Sequence, residues 1–97
     1  MIEGTFNRSV NFEEEEMAKL IKGHVDFLSK GIAAGRVLLT GPKINESGGL
    51  TFIKAESLEE AELFFQEDPL NGQDFIQTRI IEFRPQDGQP SIKEWLN

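Results

Sequence analysis

The chain has one histidine, His24, and it falls in the apolar stripe of a helical pattern where a Leu or Val would be expected. An imidazole there is either a core group satisfied by a backbone carbonyl or a buried proton carrier. Imidazole as a side-chain type can take up or release a proton close to neutrality. A second signal, Asp68-Pro69, follows the second helical pattern. On its own, Asp before Pro is turn chemistry, with the side chain capping nearby amides. Across an α–β–β–α layout, the spacing of His24 and Asp68 suggests a buried imidazole with a carboxylate partner. One ring nitrogen would donate to the carboxylate, which fixes the tautomer and stabilises the imidazolium. The other nitrogen would then be free as a general base. Such a base suits removal of a proton from carbon next to a carbonyl, or elimination of HX.

Other chemistries lack their residues. No Ser stands in a nucleophile-elbow context, and neither a phosphate loop nor a dinucleotide fingerprint is present. The chain has no cysteine, so it has no thiol nucleophile, disulfide or thiolate metal site. A single histidine argues further against a transition-metal site within one chain. The expectation is therefore no metal and no cofactor. Ser47-Gly48-Gly49 resembles an anion nest but precedes no helix, and hairpin-turn service explains it better. Asp26 lies two residues beyond His24, on a different helix face, and is expected in solvent. Glu13 to Glu16 read as a solvated helix start rather than a cation site.

The elements that must position His24 and Asp68 are legible in outline. Met1 to Phe6 is a weak strand candidate, with Ile2, Gly4 and Phe6 on one face and Gly4 weakening it. Asn11 is a suitable N-cap for the first helix, with Glu14 three residues on in a capping-box relation. The acidic run that follows suits the positive end of the helix dipole. Met17, Leu20, Ile21, His24, Phe27 and Leu28 then form one helical face. Gly31 is expected to loosen the last turn, and Gly35 fits the left-handed position past the end.

Val37 to Thr40 and Leu50 to Ile53 read as two strands of a hairpin. Gly41-Pro42 ends the first, and Asn45 to Gly49 supplies the turn. Ser57 and Glu60 make a second capping-box pair, opening a helix to about Gln66 that Pro69 stops. Phe75 to Phe83 is the last long strand, with Phe75, Ile81 and Phe83 on one face and Ile76 and Ile80 on the other. Residues 86–97 read as a tail, with the one Trp, Trp95, either a local anchor or part of a dimer contact. The order β–α–β–β–α–β predicts a single α+β domain of ferredoxin-like type. In it, two helices cover one face of a four-stranded antiparallel sheet. Apolar residues on both strand faces leave the second face in need of a partner, which a second copy stacked sheet to sheet would supply.

The 97 residues make one small domain, and 38% hydrophobic content is that of a globular chain. A formal net charge of −7 and a pI of about 4.6 argue against binding a nucleic acid backbone or an anionic membrane. No apolar run approaches the ~20 residues of a membrane span. No basic n-region precedes an apolar stretch, so no signal peptide is expected. The absence of cysteine agrees with a cytoplasmic location.

Five segments, taken in order, resemble the YCII-related (YciI-like) family. They are His24-Val25-Asp26-Phe27-Leu28, Gly35 to Pro42 (Gly-Arg-Val-Leu-Leu-Thr-Gly-Pro), Ser47-Gly48-Gly49-Leu50, Ala55 to Ala61 and Asp68-Pro69. The similarity runs from about Ala18 to Pro85 and rests on order and spacing rather than on one motif. It implies a dimeric α/β barrel, with a His–Asp dyad in a cleft. Carried over by position, that dyad is His24 and Asp68, with Gly41, Pro42 and Pro69 beside the substrate. Some members are dehydrochlorinases. A short, poor first strand and a Glu-rich helix start depart from the family pattern.

Together these observations predict a homodimeric, cofactor-independent enzyme of lyase or isomerase type acting on a small molecule. Its ligand would sit between the sheet and the helices, with Phe27 and Phe52 as apolar walls. The rival from another class is a non-catalytic metabolite-binding or accessory dimeric module, in which the His–Asp pair only holds structure or ligand.

Overall fold

The helix that carries His24 is the longest element. In the computed structural model, which describes residues 1–7 and 13–96, α1 spans Glu14–Ala33. Its N-cap is Glu13, whose side chain makes no capping bond, and its first turn holds Glu14, Glu15 and Glu16. Three carboxylates at the positive end of the dipole do the electrostatic work that a cap would otherwise share. Asn11, expected as the cap, lies outside the described residues. At the other end Gly35 has φ 77°, with Arg36 N–H donating to Gly31 O at 2.8 Å and Gly35 N–H to Ile32 O at 3.0 Å. This is a Schellman close, with glycine in the expected left-handed position. Gly31 does not loosen the last turn. It is buried, and a Cβ there would stand 2.6 Å from Val37 Cγ2, so the missing side chain lets the helix sit on the sheet.

Around α1 the remaining elements are β1 (Ile2–Phe6), β2 (Val37–Pro42), β3 (Gly48–Ile53), α2 (Leu58–Phe65), β4 (Ile76–Ile80) and α3 (Pro90–Leu96). The strands form one sheet in the order β2-β3-β1-β4, and every neighbouring pair is antiparallel. The chain is thus α+β and ferredoxin-like, as its element order predicts. Ser57 caps α2 by accepting from Glu60 N–H at 3.1 Å, and Glu60 reaches back to the Glu56 amide at 3.3 Å. Among the described residues no helix is long and apolar enough to cross a membrane.

Two strand boundaries differ from the sequence expectation. Gly41-Pro42 is the last paired step of β2 rather than the stop just past it: Gly41 pairs with Leu50 and Pro42 with Gly49. β2 is an edge strand, where the missing proline N–H can face away from the ladder. Gly48 and Gly49 accordingly belong to β3 rather than to the turn. At the other edge β4 is shorter than Phe75–Phe83, because its one partner is β1. Ile2 pairs with Ile80, and Ile81 N–H donates to Met1 O at 2.8 Å beyond the last paired residue of β4.

The core lies between the sheet and the helices and includes Ile2, Leu28, Val37, Ala61, Phe65 and Phe75. Each of the larger of these side chains, fully buried, contributes about 1.5–3 kcal/mol relative to exposure. Phe27 meets Phe64 at 4.8 Å and Phe65 at 5.8 Å between ring centroids, which clamps α1 to α2. The opposite sheet face is less apolar than expected. Glu3 lies between Lys43 at 3.1 Å and Arg79 at 3.3 Å, and Gln77 and Arg79 are exposed. Apolar surface on that face gathers around Leu39, which is 51% exposed, and the Phe52–Phe83 ring pair at 6.0 Å. Trp95 acts locally: Lys54 Nζ donates to its carbonyl at 3.0 Å and lies 5.8 Å from its ring centroid.

Candidate functional site

His24 comes from the middle of α1 and Asp68 from the turn after α2. That turn is closed by its own backbone, with Asp68 N–H donating to Phe65 O at 3.1 Å and Asn71 N–H to Asp68 O at 2.9 Å. Leu70 N–H donates to Asp68 Oδ1 at 3.0 Å, an Asx turn that fixes the carboxylate plane. Gln73 Nε2 donates to Pro69 O at 3.2 Å and ties the loop to itself. One carboxylate oxygen is thereby committed locally and the other is turned toward α1.

That second oxygen, Asp68 Oδ2, lies 2.7 Å from His24 Nδ1. The carboxylate side chain is 2% exposed and the imidazole 26%. An ionised carboxylate only accepts hydrogen bonds, so the shared proton sits on Nδ1. In the neutral ring Nε2 then carries a lone pair, and no described residue hydrogen-bonds to it. The partner of His24 is thus a carboxylate and not the backbone carbonyl of the alternative considered from sequence. A bond of this length to a charged acceptor is of the stronger class, about 1.5–3 kcal/mol.

The ring lines a cavity of about 420 Å³ between the sheet and the helices, within the ordinary range for small-molecule sites. Ile21 and Leu28 of α1 and Phe65 and Leu70 of the α2 region form its walls, and β1 contributes Ile2 and Phe6. Polar groups on the sheet side are Thr40 and Thr51, whose hydroxyls are 2.8 Å apart. Thr40 also donates to Leu50 O at 3.1 Å. Its one hydrogen is used there, so Thr51 donates to Thr40 and retains acceptor capacity.

Of the residues singled out from sequence, His24 and Asp68 are brought into contact, and Gly41 and Pro42 line the same cavity. Pro69 is not among the lining residues. Its ring packs on Gly23 instead, where a Cβ would stand 2.8 Å from Pro69 Cγ. The aromatic walls are also other than expected: Phe27 is held between the helices and Phe52 lies on the far sheet face with Phe83. Phe6 and Phe65 take their place. Thr40 and Thr51 escaped sequence reading. The detectable signal was parity, since Thr51 pairs with Ile2 in β1 and so shares its inward face. Among the described residues no cluster of three or more His, Cys, Asp or Glu is placed to hold a metal ion.

Comparison with known proteins bears on the family of the chain. The uncharacterized protein YjpA of Bacillus subtilis (strain 168) is 38% identical over 63 residues, which is 65% of this chain and 69% of that protein. No solved structure matches significantly. The model of the YCII-related domain matches residues 3–84, a span that holds both His24 and Asp68, and the chain belongs to the YCII-related domain family.

Proposed function

We propose that this chain is a cofactor-independent small-molecule enzyme of lyase or isomerase type, with His24 as general base and acid and Asp68 as the group that orients it. The observation that carries the reading is the 2.7 Å bond from His24 Nδ1 to a nearly inaccessible carboxylate at the wall of a largely apolar cavity. With Nδ1–H held by Asp68, the Nε2 lone pair takes a proton from carbon next to a carbonyl. The carbanion is conjugated into the carbonyl as an enolate, and the imidazolium is stabilised by the same carboxylate. Where a β,γ double bond extends the enolate to a dienolate, returning the proton to the γ carbon completes an isomerisation, and loss of a β-leaving group with its electron pair completes an elimination.

The functional unit is proposed as a cytoplasmic homodimer built through the outer sheet face. The exposed Leu39 and Phe83 on that face support it. A chain without cysteine has no need of an oxidising compartment.

The test is proton exchange in D2O with phenylacetone, whose benzylic hydrogens lie next to a ketone. Deuterium incorporation above the buffer rate is expected with the native protein and not with His24→Gln. Exchange at the buffer rate despite saturable binding would leave a metabolite-binding module and overturn the catalytic reading.

A further inference from the structure

Gly4 and Gly49 are direct partners across β1 and β3, the two central strands of the sheet, and both line the cavity beside His24. Gly4 shares the inward face with Ile2 and Phe6, two positions either side. Glycine inside a strand weakens it, and it marks a bulge, a strained backbone or a place where another molecule comes close. Neither Gly4 nor Gly49 has a positive φ. Gly48 is different: it has φ 144°, and a Cβ there would run into the Gly4 carbonyl, so its own backbone explains it. A Cβ on Gly4 would meet only the flexible end of Ile76, with Cδ1 at 3.1 Å, and one on Gly49 would lie 3.1 Å from Gly41 O. A side chain at Gly49 is therefore opposed by the Gly41 carbonyl, while one at Gly4 would press only on Ile76, beside the cavity that both glycines line.

Charge narrows the occupant. Among the described lining residues the ionisable groups are His24 and Asp68, and no lysine or arginine is present. Lys43 and Arg79 are engaged with Glu3 on the other face of the sheet. Among the described residues, an anionic ligand would lose its hydration near a buried carboxylate with only the imidazole to offset it. We propose that the Gly4–Gly49 pair is a specificity element: a bare stretch of backbone against which the body of an uncharged, mainly apolar ligand lies, with its reacting carbon offered to His24. This rests on the cavity being the ligand site, and it names the class of compound that site takes.

The experiment uses two compounds of nearly the same shape, neutral phenylacetone and anionic phenylacetate, each titrated into the ¹⁵N-labelled protein. Phenylacetone is expected to shift the amide signals of Gly4, Gly49 and His24 saturably, and phenylacetate is not. Gly4→Val suits a strand without backbone strain and is expected to abolish the phenylacetone shifts while the His24 ring signals stay as they are. Gly4→Ala, which adds one carbon, weakens binding and carries the test if the valine variant fails to fold. Phenylacetate binding as tightly as phenylacetone, Gly4→Ala binding like the native chain, or no shift with phenylacetone would each overturn the proposal. Saturable phenylacetone binding without proton exchange fails the catalytic reading alone. Exchange that persists in Gly4→Val fails this proposal alone.

Discussion

Gly23 and Pro69 meet with no room between them: a Cβ on Gly23 would stand 2.8 Å from Pro69 Cγ. Gly23 precedes His24 and Pro69 follows Asp68, so this contact sits beside the 2.7 Å bond between imidazole and carboxylate. It sets how closely α1 approaches the turn after α2. A glycine inside a helix costs about 1 kcal/mol relative to alanine, and the close approach is what that cost secures.

Gly23→Ala is therefore expected to destabilise the protein despite its better helix propensity. Overpacking costs about 1–3 kcal/mol against the ~1 kcal/mol that alanine gains in a helix, which leaves a net loss of up to ~2 kcal/mol in urea denaturation. The His24–Asp68 bond is expected to lengthen with it, seen as a change in the ring nitrogen signals. A gain in stability would show that Pro69 moves aside freely and does not position the pair.

The two members of the pair are not equivalent. His24→Leu leaves the buried Asp68 carboxylate with the Leu70 amide as its one donor among the described residues and is expected to lower stability by about 2 kcal/mol. Adding Asp68→Asn to His24→Leu removes the stranded charge and is expected to recover part of that loss. Additive losses in the double variant would show that the carboxylate does not depend on the ring.

Gly31→Ala is expected to be harmful at the other end of the helix, because its Cβ would stand 2.6 Å from Val37 Cγ2 and 3.2 Å from Phe64 Cζ. The loss should be about 1–3 kcal/mol in thermal or urea unfolding. A neutral result would mean that α1 does not depend on this contact to sit against β2.

The proposed homodimer has its own check. Leu39 is 51% exposed on the outer sheet face, so Leu39→Lys is expected to shift sedimentation from dimer toward monomer without unfolding the chain. Native protein that sediments as a monomer at all accessible concentrations would rule the dimer out.

Much of this was readable before any coordinates. Apolar spacing marks the face of α1 though not its start after Glu13, Ser57 with Glu60 opens α2, and Gly35 closes α1, since each of these signals is local. The meeting of His24 and Asp68, separated by 44 residues, was readable because each stands out in its own segment, the first as a polar break in an apolar stripe, the second before a proline. What escaped depends on partners in space. Pro42 stays in its strand because β2 is an edge strand, and the extent of β4 is that of its ladder with β1. Phe27 and Phe52 read as cavity walls by type, but helix–helix packing and strand parity turned them elsewhere. Pro69 was read as a ligand contact, and only Gly23 beneath it reveals a packing role.

The most direct test of the central claim is the tautomer of His24, read from ¹⁵N ring signals that one histidine makes unambiguous. In the neutral ring the proton is expected on Nδ1, with Nε2 showing the signal of an unprotonated nitrogen, and Asp68→Asn is expected to move the population toward Nε2–H. A native ring already protonated on Nε2, or one unchanged by Asp68→Asn, would contradict a carboxylate-oriented base.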